Sequence, residues 1–173
     1  GAWRAIEMNR VENIIDVRLS ELTGGQFAQA YRLVNTETVN GYTVVRSGNE
    51  LIVDWTFPST FNASRTFMLT YTVKGGLRIY EGGDQLYWKA IWPDRGARVL
   101  NTTTTVHLPD GVDPAQLKIA SYGVKAQYTQ PDASTVVFTT GMMLDGQSLE
   151  ARVQFPHGLV QAGVPPWQQA DDA

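Results

Sequence analysis

Apolar and polar residues alternate with a period of two over long stretches of this chain. The clearest stretch is Thr66–Lys74, where every second residue is apolar and the residues between are mostly threonine. Residues 50–57 and 148–155 repeat the pattern. Successive side chains of a strand point to opposite faces, so this period predicts strands with one buried face.

Weaker alternation, with turn residues between the alternating segments, predicts further strands along the chain. Paired glycines and Asn-Gly or Asp-Gly dipeptides separate the candidates and supply residues that tolerate a positive φ. One short helical turn is predicted at Pro114, with Asp113 as its N-cap. The weaker strand candidates are residues 14–19, 29–34, 42–46, 85–91, 98–108, 117–124 and 134–139.

Many short strands with turns between them favour an all-β fold built from antiparallel β-sandwiches. We predict two Ig-like β subdomains packed in tandem, with at least about 40% strand and less than about 10% helix. The Pro-Gly break at 92–96 places the subdomains at residues 1–94 and 95–160. From residue 161 the chain is rich in Gln, Ala, Pro and Asp. Residues 161–173 are therefore predicted to be a solvated linker toward a membrane segment, with Trp167 folding back as the alternative.

Composition excludes several classes of protein. The net charge is −3 and no run of Lys or Arg occurs, so the sequence has no sign of the basic surface that binds nucleic acid. The chain has no cysteine, so thiolate metal sites and thiol nucleophiles are absent. No stretch approaches the roughly 20 apolar residues that span a bilayer. We expect any signal or membrane segment to lie outside residues 1–173.

Motifs for catalysis or cofactor binding are not found. His107 and His157 have no metal-ligand spacing around them, and the chain contains no Gly-x-Ser-x-Gly elbow. The paired glycines precede strands rather than helices, unlike phosphate-binding loops. Asp110 and Asp113 fit either a calcium site or an ordinary β-loop. We expect no enzyme activity, no cofactor and no small-molecule substrate.

One aromatic cluster is a candidate ligand or interface site. It contains Tyr87, Trp88 and Trp92. Exposed rings of this kind stack on sugars in carbohydrate-binding modules, but Tyr87 and Trp88 are neighbours in a predicted strand and point to opposite faces. At least one of them is therefore expected in the core or at a domain junction.

Several short motifs resemble the DUF2207 family. They are residues 71–76 (Tyr-Thr-Val-Lys-Gly-Gly), 83–89 (ending in Leu-Tyr-Trp-Lys), 106–109 (Val-His-Leu-Pro), 155–159 (Phe-Pro-His-Gly-Leu) and, in part, 3–6 (Trp-Arg-Ala-Ile). The chain departs from the family pattern at Lys89, where asparagine is expected, and at Glu7, where proline is expected. The resemblance implies a β-rich extracytoplasmic domain followed by membrane helices, with further strands before Trp3. It implies no reaction and no catalytic residues.

The leading functional hypothesis is a non-catalytic ectodomain of a bacterial integral membrane protein of unknown function, located outside the cytoplasm at the cell membrane. Its role would be structural, or it would recruit a protein partner by edge-strand pairing. The alternative is a carbohydrate-binding module of the cell envelope, which requires at least two coplanar exposed aromatic rings.

Overall fold

The computed structural model describes residues 1–173. Strands make up 53% of the chain and helix is nearly absent, which confirms the all-β prediction. The chain divides into two compact units, Gly1–Gly75 and Gly76–Ala173.

The first unit contains seven strands in two sheets. The strands are β1 (Ala2–Glu7), β2 (Asn13–Thr23), β3 (Gln26–Ala30), β4 (Arg32–Leu33), β5 (Gly41–Ser47), β6 (Glu50–Thr56) and β7 (Thr66–Lys74). Their orders in the two sheets are β1-β6-β5-β4 and β3-β2-β7. Neighbouring strands are antiparallel except β4 and β5, which are parallel.

Alternation along the strands builds the core of this unit. The inward residues of β6, Leu51, Val53 and Trp55, are buried. The centre of the Trp55 ring lies 5.6 Å from the centre of the Phe67 ring on β7. The two sheets therefore pack face to face, as in a β-sandwich. The Tyr42 hydroxyl donates a 2.8 Å hydrogen bond to a β2 carbonyl, which ties β5 to the other sheet.

Tyr31 provides a pH-dependent test of the first unit. Burial, and then its hydrogen bond to the Glu21 carboxylate, raise the pKa of Tyr31 to about 12. A tyrosine in an unfolded chain titrates near pH 10, so the unfolded state ionises first. The resulting stabilisation is complete below about pH 10 and is lost as the pH rises to about 12.

We therefore expect the stability difference between wild type and Tyr31→Phe to shrink across that window. Urea unfolding at a series of alkaline pH values measures this difference. A constant difference would show that the Tyr31 hydroxyl titrates alike in both states.

The second unit also contains seven strands in two sheets. Its elements are β8 (Leu77–Arg78), β9 (Asp84–Ile91), β10 (Thr102–His107), a 3-10 turn (Pro114–Gln116), β11 (Lys118–Gly123), β12 (Gln127–Asp132), β13 (Thr135–Thr140), β14 (Leu149–Phe155) and α1 (Pro166–Asp171). The strand orders in the two sheets are β11-β14-β9-β8 and β10-β13-β12.

Both sheets of the second unit contribute to one apolar core. Val136 and Phe138 enter it from β13, and alternate residues of β14 enter it from the other sheet. The most deeply buried members are Val136, Phe138, Met143, Leu149 and Val153, each with no exposed surface. Residues 149–155 thus form a strand with one buried face, as the alternation predicted, and the structure places this strand between β11 and β9.

The boundary between the units differs from the predicted one. β9, assigned from the sequence to the first subdomain, pairs along its length with β14 of the second unit. The Pro-Gly segment at 92–96 is a loop inside that unit, and the change of unit occurs at Gly75-Gly76. Both segments are glycine-containing breaks between strands, so local sequence does not distinguish them.

Arg95 holds the loop at 92–96 in place. Its guanidinium donates to the main-chain carbonyls of Trp92, Met143, Leu144 and Gln147. The Asp145 carboxylate accepts a 3.0 Å hydrogen bond from the amide of Gly96. Arg95 therefore links the loop at 92–96 to the loop between β13 and β14.

The C-terminal segment differs from the predicted linker. Residues 166–171 form helix α1, and Gln168 in it is only 1% exposed. Its side-chain amide accepts a 2.8 Å bond from the Ile79 N–H and donates a 3.0 Å bond to the Ile79 carbonyl. Gln168 thus satisfies main-chain groups directly after β8, much as a further strand would.

Charged and aromatic contacts reinforce this docking. The Arg78 guanidinium binds the carboxylates of Asp171 and Asp172 and lies 5.0 Å from the centre of the Trp167 ring. The fold-back of Trp167, the alternative left open by the sequence, is what the structure shows. A six-residue helix has little stability of its own, so these contacts keep it folded.

Candidate functional site

Tyr87 and Trp88 lie on opposite faces of β9, as strand geometry predicted. Trp88 is in register with Ala151, which is 1% exposed, so it shares the core-facing side of the sheet. Tyr87 is in register with Arg152 on the outer face. The candidate aromatics therefore do not form one surface.

The outer face around Tyr87 is a packed polar-aromatic cluster. The Tyr87 hydroxyl donates to Glu150, and its ring lies 5.6 Å from Tyr122 at an interplanar angle of 83°. Lys89 lies between the Glu150 carboxylate, at 3.7 Å, and the Trp92 ring, at 4.4 Å. Perpendicular rings stabilise each other edge to face, but they do not form the flat pair that a sugar would cover.

Polar side chains continue this face toward the start of β9. Arg152 donates to Gln85 at 3.1 Å, Gln85 donates to Gln154 at 3.2 Å, and Gln154 donates to the Gly82 carbonyl at 2.9 Å. The groups that could bind a ligand here already bind one another. This arrangement is typical of a structural sheet face.

The two histidines have different surroundings. His107 is exposed and lies 3.3 Å from the Thr135 hydroxyl. His157 places Nδ1 2.8 Å from Oδ1 of Asp84, whose side chain is completely buried and whose Oδ2 has no hydrogen-bond partner. This pair is not predictable from the sequence, because its members are 73 residues apart and Asp84 follows a glycine pair typical of a turn.

A shallow cleft of about 390 Å³ adjoins His157. Its lining is His157, Gly158, Val160, Gln161, Ala162 and Gly163. His157 is the sole titratable side chain in that lining, and no hydroxyl or thiol nucleophile accompanies it. The Asp84–His157 pair therefore orients the strand end and is not accompanied by the remaining parts of a hydrolytic triad.

Asp113 has a structural role in the loop that was a candidate calcium site. Its carboxylate accepts 3.0 Å hydrogen bonds from the Ala115 amide and from the Gln116 side chain, as an N-cap does. The predicted capped turn at Pro114 is confirmed. No group of three or more His, Asp or Glu side chains lies close enough together to hold a metal ion.

The free edge of β7 is an interaction candidate that the structure adds. β7 is the terminal strand of its sheet and pairs with β2 alone. Its inward apolar residues are only half-buried, whereas those of the central strand β6 are buried. An edge strand is covered on one side only, so apolar surface remains along β7. The four half-buried residues are Phe67, Leu69, Tyr71 and Val73.

Several other terminal strands have features that discourage pairing. β4 and β8 are two residues long, β12 contains Pro131, and Gln168 binds the chain directly after β8. β7 has nine residues, contains no proline and carries its one charge at its last residue, Lys74. Natural proteins protect long edges with proline, charge or short length, so β7 is the least protected of this group.

Comparison with known proteins places this architecture in a family. Residues 2–155 match DUF2207, described as the N-terminal domain of a predicted membrane protein. The searches of curated proteins and of solved structures found no match. No helix in the structure is long and apolar enough to cross a membrane. With every strand inside the matched region, the chain belongs to the DUF2207 family, the N-terminal domains of predicted membrane proteins.

Proposed function

We propose that this chain is a non-catalytic, extracytoplasmic interaction module of a bacterial envelope membrane protein, and that it binds a partner protein by accepting a strand at β7. Family membership supports attachment to a membrane protein. The observation that carries the mode of binding is the free, nine-residue edge of β7.

The chemistry of the edge defines the partner segment. Nine residues of strand at about 3.4 Å each give an edge of about 30 Å for main-chain pairing. The half-buried inward side chains favour a segment with apolar residues at every second position, because such residues would cover Phe67 and Tyr71. The opposite positions, Thr70 and Thr72 among them, are exposed and favour polar residues.

A carbohydrate-binding role has less support. It needs coplanar exposed rings, and Tyr87 and Tyr122 are nearly perpendicular. Trp92 is covered by the Lys89 ammonium at 4.4 Å. Opening either ring for a sugar would first break contacts within the sheet face.

Hydrogen exchange with a peptide probe tests the proposed function. The probe is a peptide with the sequence of residues 66–74, followed by a polar solubilising tail. We expect it to slow exchange at alternate amides of β7, because strand pairing protects the amides that point outward from the sheet. A control peptide of equal composition, with its apolar residues grouped so that alternation is lost, should leave those amides unchanged.

Matched variants localise the effect on the protein. Thr70→Lys puts a charge at the centre of the free edge and should reduce protection, whereas Thr129→Lys adds the same charge on an exposed position of β12 and should not. Equal protection by both peptides, or no protection by either, would contradict strand addition at β7.

A further inference from the structure

We propose that the strand received by β7 is the β7 strand of a second copy, so that two chains join as an antiparallel, two-fold dimer through their first units. This inference rests on the proposed function, since it names the partner of the same edge. It follows from three properties of β7: its free edge, its incompletely buried face and the order of its residues.

The order of residues in β7 is self-complementary about Thr70. A two-fold axis at Thr70 places each residue before Thr70 opposite the residue the same number of positions after Thr70 in the second copy. Inward residues therefore meet inward residues, and the apolar faces of the two strands lie on the same side of the joined sheet. The inward pairs are Phe67 with Val73 and Leu69 with Tyr71; the outward pairs are Met68 with Thr72, Thr66 with Lys74 and Thr70 with itself.

These pairs are chemically favourable. Aromatic residues meet aliphatic or β-branched ones, which is a stabilising cross-strand combination. Lys74 meets Thr66, so no like charges stand opposite each other. The same pairing covers the half-buried inward residues of both copies, which an unrelated hydrophilic segment would not do.

The dimer would merge two three-stranded sheets into one continuous sheet of six, in the order β3-β2-β7-β7-β2-β3. A single strand pair buries less than the roughly 1,200 Å² of a standard stable interface, so the dimer is expected to be weak in dilute solution. Two copies confined to one membrane face have a far higher effective concentration, and there the same contact would be populated.

Analytical ultracentrifugation of the intact chain, over micromolar to millimolar concentrations, tests the dimer. The wild type should show a monomer–dimer equilibrium. Thr70→Lys and Thr70→Glu each bring like charges together at the axis and should weaken it at least about fivefold. An equimolar mixture of these two variants should restore the dimer, because the axis then pairs opposite charges. Thr129→Lys is the control and should behave as wild type.

A wild type that stays monomeric at millimolar concentration, or a dimer that Thr70→Lys does not weaken, would overturn the inference. Failure of the charge-swapped mixture to recover would overturn the two-fold at Thr70. The peptide experiment separates this inference from the proposed function. Protection of β7 by the peptide in a chain that remains monomeric would retain strand addition and reject a second copy as the partner.

Discussion

Replacing Gln168 by alanine should lower the free energy of unfolding by about 3 kcal/mol, because it leaves a buried N–H and a buried carbonyl of Ile79 without partners. Each orphaned buried group costs about 1–3 kcal/mol, and the cavity adds to this. Gln169→Ala is the matched control, since Gln169 is the next residue of α1 and is exposed. It should change stability by no more than about 0.5 kcal/mol.

Denaturant unfolding measures both variants, and hydrogen exchange at the Ile79 amide reports on the contact itself. Gln168→Glu adds a further check. A carboxylate can accept the hydrogen bond from the Ile79 N–H, but its second oxygen cannot donate to the Ile79 carbonyl oxygen. This near-isosteric change should therefore also destabilise the protein. If Gln168→Ala were as mild as Gln169→Ala, residues 161–173 would be the solvated linker that composition predicted.

His157→Ala should destabilise the second unit by about 3 kcal/mol, because it removes the hydrogen-bond partner of the fully buried Asp84 side chain and leaves buried oxygen atoms unsatisfied. His107→Ala is the control, because His107 is exposed and has one long contact to Thr135. Thermal and urea unfolding of both variants give the comparison.

The double variant Asp84→Asn/His157→Ala distinguishes an unsatisfied buried carboxyl group from simple loss of packing. Replacing the carboxyl group together with its hydrogen-bond partner should recover part of the stability lost in His157→Ala, so the two changes should not be additive. Strict additivity would show that the pair has no coupling and that His157 acts through its apolar contacts alone.

The fold was largely predictable because alternation is a local signal. Thr66–Lys74 has the same bounds in the sequence prediction and in β7, and the predicted strand at 148–155 differs from β14 by one residue. The all-exposed strand β12 was not predicted, because its residues show no apolar alternation and include Pro131. Apolar and polar residues alternate because one face of a strand is buried, so a strand with no buried face shows no alternation.

The features that distinguish this molecule arise from long-range contacts. Gln168 and Ile79 are 89 residues apart, and a glutamine in a six-residue helix has no periodicity by which to predict its partner. The same holds for Asp84 and His157. The free edge of β7 depends on strand order, which alternation does not encode, so the sequence supported edge-strand pairing as a hypothesis without indicating which strand.

The Arg95 contacts have a consequence for how this chain can vary in evolution. All four acceptors of its guanidinium are main-chain carbonyls, at Trp92, Met143, Leu144 and Gln147. A main-chain acceptor places no demand on the side chain that it carries. Substitutions at those four positions can therefore accumulate without loss of the contact, whereas an insertion or deletion in either loop would move the carbonyls out of reach. The constraint falls on loop length and on a single arginine.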